Sequence, residues 1–343
     1  MRRDRAMTLK KLRTITLASA SLAVLGTGHA IAMDGVVASI KPIHSLVSAV
    51  MEGVGEPELI VRSTGSEHAY TLRPSDANAL QNAKIVFWVG HEMETFLEGP
   101  IETLAGGATV VALEDAEGLE KLKFREGGPF EAHAHGEDDH GHAHEGHDHE
   151  GHDHAHDDHG HDEHHSHAHG EYDLHFWLDP LNAKLLLAQI EKTLSEADPD
   201  NAERYRANVE TYSARLDELV SEVEAQLAPV KDKPFVVFHD AYQYFEQRFG
   251  VNVVGSITVN PEIMPGAQRV AEIKARIAEL RAACIFAEPQ FEPRLVSVVA
   301  EGTDTKSGVL DPLGADLDDG PELYFELIRN MGTSMAACLS QAG

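Results

Sequence analysis

The sequence predicts an α/β protein of two lobes, each built from parallel-rich βα units, joined by one long rigid helix. Three observations predict it. Short apolar runs alternate with amphipathic stretches of helical period in both halves of the chain. One apolar stripe of nearly thirty residues separates the two series. The chain has 343 residues, which suits two domains of ordinary size better than one small core.

The elements follow in order. Residues 36–40 form a short apolar run, and Pro42 opens a helical stretch with Ile43, Leu46, Val47 and Val50 on one face. A strand is expected at 59–61, a helix at 74–82 with Pro74 in its first turn, and strands at 85–89 and 109–113. This alternation implies parallel sheet with helices on both faces. Asp179-Pro180 precedes a helix running to Ala197, and Asp198-Pro199 starts a longer one to Leu227. Tyr205, Val209, Tyr212, Leu216, Leu219, Val223 and Leu227 recur there at steps of three and four, the stripe of a helix roughly 43 Å long. The second series has strands at 235–238, 251–257, 285–287 and 309–310. Its helices are expected at 241–249, closed by Gly250, and at 265–283, 293–300 and 321–339. The expected organisation is a signal peptide at 1–32, an N-terminal lobe at 33–198, a linking helix at 199–227 and a C-terminal lobe at 228–343.

The start of the chain is basic (Arg2, Arg3, Arg5, Lys10, Lys11, Arg13) and continues into a short apolar stretch at 15–26. Ala30-Ile31-Ala32 then fits a small-residue cleavage pattern, so the expectation is a secretory signal cut after Ala32. The apolar run falls short of the ~20 residues that span a bilayer. No cysteine near the cut offers a lipid anchor, so a soluble exported protein is expected. The chain carries 28 basic and 57 acidic residues; removing 1–32 takes away six and one, leaving 22 against 56. So acidic a chain should attract cations and is not expected to bind nucleic acid. Cys284 and Cys338 are the only cysteines, and an even pair in an oxidising compartment suggests a disulfide, with two buried free thiols the alternative.

Histidine carries the chemistry. Sixteen of the 22 histidines lie between 133 and 169: His133, His135, His140, His142, His144, His147, His149, His152, His154, His156, His159, His161, His164, His165, His167 and His169. The stretch 131–171 adds 13 Asp and Glu and no Lys or Arg. Such a tract, at about 126–171, cannot bury a core and is expected to be a disordered surface insertion. Neutral imidazole suits Zn²⁺, Cu²⁺ and Ni²⁺, so the tract should hold several ions weakly, less so in acid. One defined site needs ligands on rigid elements. Outside the tract and the signal region stand His44, His68, His91, His175 and His239. His68, His175 and His239 fall at or near the ends of apolar strands, where open α/β sheets bind ligands. His44, in a helix's first turn, and His91, before Glu92 at a helix start, are set aside. Three histidines and a carboxylate would give zinc four ligands, with Glu67, Asp311 and Glu288 as the carboxylates in reach. No metalloprotease, nucleophile-elbow or phosphate-loop motif occurs, so the protein is not expected to be an enzyme.

Six motifs in order carry a resemblance: Gly65-Ser-Glu-His-Ala-Tyr70, Leu72-Arg-Pro-Ser-Asp76, His175-Phe-Trp-Leu-Asp-Pro180, Phe238-His-Asp-Ala-Tyr242, Glu288-Pro-Gln-Phe291 and Leu310-Asp-Pro-Leu-Gly314. From about 35 to 340 the chain resembles the metal-binding receptors of ABC importers, and its His-rich insertion resembles that of their periplasmic zinc-binding members. The resemblance implies metal in the cleft between two α/β lobes, with His68, His175 and His239 as zinc ligands. It leaves the fourth ligand between Glu67 and the alternative Asp311, and it implies a Cys284–Cys338 disulfide. The implied function is high-affinity capture of Zn²⁺ in the periplasm and delivery to an inner-membrane ABC permease by a monomeric receptor. One tight site is expected, with weaker ions on the tract. A manganese or iron receptor on the same fold, and a periplasmic zinc buffer or chaperone, are the alternatives.

Overall fold

The computed structural model describes residues 32–62, 64–125, 130, 171–258, 261, 266–292 and 294–341. The expected signal segment, apart from Ala32, and the histidines of the tract lie outside the described residues.

The first series is β1 (Val36–Ala38), α1 (Lys41–Val50), β2 (Glu58–Leu59), α2 (Pro74–Gln81), β3 (Ile85–Trp88), α3 (Thr95–Leu104) and β4 (Thr109–Ala112). Its strands form one parallel sheet in the order β2-β1-β3-β4. β1 and β3 are buried along their whole length, as the unbroken apolar runs require of central strands covered on both faces. A short antiparallel pair follows, β5 (Leu122–Lys123) with β6 (Tyr172–Asp173), on either side of the His-rich stretch in sequence. Then come α4 (Pro180–Ala197) and α5 (Ala202–Leu227).

The second series is β7 (Pro234–His239), α6 (Gln243–Phe249), β8 (Asn252–Thr258), α7 (Ala267–Leu280), β9 (Cys284–Ala287), α8 (Arg294–Ala300), β10 (Lys306–Val309) and α9 (Leu323–Gln341). Its parallel sheet has the order β10-β9-β7-β8. The chain reverses direction across the sheet between β7 and β9, and such a switch point leaves a crevice at the strands' carboxyl ends. His239 ends β7 there, and Glu288 follows β9.

The long helix is as expected in face but shorter. A 3₁₀ turn at Pro199–Asn201 precedes α5, leaving 26 residues, about 39 Å. Tyr205, Tyr212, Leu216, Leu219, Val223 and Leu227 are buried, and Val209 partly so. That stripe packs against α4, α1 and α9, so α5 is part of the core rather than a free strut. Lys41 adds a polar tie, donating from α1 to the carbonyls of Ala315 and Leu317 and pairing with Asp319. A helix start was expected beside His91 and Glu92; α3 begins at Thr95 and runs through Gly99-Pro100. Leu97 and Ile101, four apart and buried, hold it in place despite Pro100. Among the described residues no helix is long and apolar enough to cross a membrane.

Cys284 of β9 and Cys338 of α9 are bridged, with Cα atoms 6.2 Å apart. The bond closes a loop spanning 54 positions. A Cys284→Ala/Cys338→Ala double variant should lose roughly 2–4 kcal/mol of stability in urea denaturation while keeping its zinc stoichiometry. Equal stability with and without the bridge would contradict this.

Candidate metal centre

Four side chains meet between the two sheets. Glu67 and His68 lie in the loop from β2 to α2. Gly65 gives that loop its close approach, since a Cβ there would meet Val61 Cγ1 at 2.8 Å. Its far end is pinned by Asp76, which accepts from the Arg73 backbone N–H at 2.9 Å and the Tyr70 hydroxyl at 3.1 Å. His175 follows β6, not an apolar strand of the main sheet. The 3₁₀ turn after it, Phe176–Leu178, is fixed by Trp177 Nε1 donating to Pro312 O at 3.0 Å and Tyr324 donating to Trp177 O at 2.6 Å. His239 comes from the carboxyl end of β7, as expected.

Each residue offers one ligand atom, and those atoms lie within 4.8 Å of one another. Glu67 Oε1 stands 3.8, 3.6 and 3.9 Å from Nε2 of His68, His175 and His239. Nε2 of His175 and of His239 are 3.3 Å apart. Bonds of about 2.0–2.1 Å to a tetrahedral zinc ion place its ligand atoms about 3.3 Å from one another. The cluster is therefore close to the size of a zinc shell. Glu67 is fully buried, and both its carboxylate oxygens, with Nε2 of His68, have no hydrogen-bond partner among the described residues. Buried polar atoms left so are costly, and a cation at their common centre would satisfy all of them.

Two carboxylates turn the imidazoles. Asp173 Oδ1 faces His175 Nδ1 at 2.7 Å and accepts the His175 backbone N–H at 2.9 Å. Glu288 faces His239 Nδ1 at 2.7 Å. Holding Nδ1–H leaves the Nε2 lone pair aimed at the centre, the usual support for a metal-bound histidine. Glu288, weighed from the sequence as a ligand, instead stands behind one. Asp311 lies outside the cluster. Its Oδ1 accepts the N–H of Leu313 and Gly314 and the amide of Gln290, and its Oδ2 accepts Ala315 N–H at 2.6 Å. Both oxygens are engaged in closing the turn after β10. His44 Nε2 donates to Pro57 O at 3.0 Å, and exposed His91 pairs with Glu98; neither joins the cluster. The role of Asp173 was not read from the sequence, although a carboxylate two residues before a candidate ligand was a usable signal.

Charge is arranged unevenly. Burial would raise the Glu67 carboxyl, but the surrounding imidazoles outweigh it and hold it down at about 2. Burial pushes His68 down to about 3 against the pull of Glu67. Burial would lower His175 too, but Asp173 and then Glu67 take it up to about 10. Without metal, His175 is an imidazolium beside the Glu67 carboxylate, and His68 is neutral.

The fold and the cluster define a class: a two-lobed α/β binding protein with a buried imidazole–carboxylate metal pocket. Residues 36–338 match the family described as "Zinc-uptake complex component A periplasmic", ZnuA. The "High-affinity zinc uptake system protein ZnuA" of Brucella suis biovar 1 (strain 1330) is 60% identical over 334 residues, covering 97% of this chain and all of that one. A crystal structure of ZnuA superposes with a TM-score of 0.67 at 21% identity, over 89% of this chain and 98% of that one. A manganese-bound periplasmic metal-binding protein from Candidatus Liberibacter asiaticus reaches 0.67 at 19%, over 89% and 98%. At those identities the two structures speak for the fold alone. The chain belongs to the ZnuA family.

Metal must displace the His175 proton to reach Nε2. Zinc binding near pH 7.5 should release about one proton, and apparent affinity should fall about tenfold per pH unit below the His175 value, since protons then compete for the ligand. Calorimetry in buffers of different ionisation enthalpy measures this; binding without proton release would contradict it. Asp173→Asn and Glu288→Gln should each weaken zinc roughly 10- to 100-fold with the fold intact, read by competition with a chromogenic chelator.

Proposed function

We propose that this chain captures Zn²⁺ in the periplasm with high affinity and delivers it, as a monomer, to an inner-membrane ABC permease. One ion is held by Nε2 of His68, His175 and His239 and by a carboxylate oxygen of Glu67. The single observation that carries this reading is the convergence of three imidazole nitrogens, at the spacing of a zinc shell, on one buried carboxylate that has no hydrogen-bond partner among the described residues. The names of the relatives support zinc as the cargo. Residues 1–32 act as the export signal, in keeping with the family's periplasmic description. The histidines at 133–169 gather further ions more weakly and leave the tight site to Glu67, His68, His175 and His239.

The chain acts by binding, not by catalysis. Four protein donors fill a tetrahedral ion, whereas a hydrolytic zinc keeps a position open for water. A manganese receptor is the second reading, since the same fold occurs in a manganese-bound protein. Three imidazoles against one carboxylate favour zinc, because manganese prefers a shell richer in oxygen.

Zinc titration of a His68→Ala/His175→Ala/His239→Ala variant that retains the tract tests the site. The expected result is loss of the one tight ion with weaker binding kept; undiminished tight binding would refute the assignment. Deleting 131–170 should do the reverse, lowering stoichiometry and leaving one tight ion. A deletion that abolished tight binding would move the site into the tract.

A further inference from the structure

We propose that Arg125 is a positioning residue for the zinc site, fixing the distance between His175 and His239; this rests on the site assignment made above. Arg125 lies just beyond β5, in the series that carries His175. Its guanidinium reaches across to the other series. Nε donates to Asp240 Oδ2 at 3.1 Å, Nη2 donates to Asp240 Oδ1, and Nη1 donates to Glu246 on α6. The Phe130 ring lies over it, 4.0 Å from the guanidinium carbon. The side chains of Arg125 and Asp240 are 19% and 6% exposed, so solvent screens the pair little.

Asp240 directly follows His239. The ties form a closed ring: Arg125 continues into β5, β5 pairs with β6, and Asp173 of β6 orients His175. Nε2 of His175 meets Nε2 of His239 at 3.3 Å, and Asp240 returns to Arg125. Neighbouring bonds run the same way. Tyr244 of α6 accepts from Leu122 N–H at 2.9 Å and donates to Asp173 O at 2.6 Å, and Gln243 donates to Lys123 O. Glu288 sets the rotation of the His239 ring. Arg125 sets where that residue's backbone stands relative to β6.

The guanidinium suits the task because its rigid planar fork presents two parallel N–H groups to a carboxylate, a fixed geometry that an ammonium lacks. Without it, the partly buried carboxylates of Asp240 and Glu246 would face each other uncompensated, and the His239–Asp240 turn would move away from β6. The free site would then lose its 3.3 Å edge, and a metal would have to restore that edge on binding.

The test compares the full chain with Arg125→Met and Arg125→Lys, reading zinc dissociation by chelator chase and the visible spectrum of the Co²⁺ form. Arg125→Met should release zinc roughly tenfold faster or more and weaken the tetrahedral cobalt bands, well below its melting temperature. Arg125→Lys, with charge but no fork, should fall between it and the parent while melting like the parent. A folded Arg125→Met with parental dissociation and cobalt bands would overturn the proposal. If Arg125→Met does not fold, parental behaviour of Arg125→Lys would overturn it instead. Failure of the site assignment looks different: the parent protein itself would show no tetrahedral cobalt bands, and the positioning role would fall with it.

Discussion

Glu67 is sealed from water among three imidazoles, and the rest of the site answers to that constraint. A carboxylate stripped of solvent needs charge or hydrogen bonds in return. Without metal, His175 supplies the charge as an imidazolium; this helps hold Glu67 low, while Asp173 and then Glu67 hold His175 high. A zinc ion at the centre would supply more, reaching both Glu67 and the lone pairs of all three rings. The pocket is thus stable enough without metal to exist, and better satisfied with it. A binding protein that must later give up its ion can use that arrangement, since a returning proton replaces part of what the metal provided.

The two sheets present the ligands in different ways. The second sheet brings His239 and Glu288 together at its switch point, so the proposed ligand and its orienting group come from adjacent strands. His175 comes from the small β5–β6 ladder, which α6 stitches to the second series through Tyr244 and Gln243. Arg248, also of α6, forks onto Asp179 after the same turn. Glu67 and His68 arrive on a loop with fewer ties, and among the described residues no carboxylate stands behind His68 in the way Asp173 and Glu288 stand behind the other two. The long helix keeps the whole in register by packing into the core.

Much of this was legible in the sequence. The alternation of apolar runs and amphipathic stretches marked both parallel sheets. The stripe from Tyr205 to Leu227 marked α5, because side-chain period follows directly from helix geometry. His68, His175 and His239 stood out as the histidines near strand ends or beside acids. The choice of carboxylate was not legible from residues alone. Glu67 and Asp311 have the same chemistry, and only the folded turn shows that the oxygens of Asp311 are taken by backbone N–H groups. Arg125 was invisible for a related reason: its partners lie more than a hundred residues away, and no local pattern announces them.

The identity of the atoms around one ion decides whether Glu67, His68, His175 and His239 form the tight site. Zinc K-edge X-ray absorption on protein lacking 131–170 and loaded with a single equivalent measures them directly. The expected spectrum is four-coordinate, with three imidazole nitrogens and one oxygen at roughly 2.0–2.1 Å. A six-coordinate oxygen-rich shell, or a shell with fewer than three imidazoles, would contradict it.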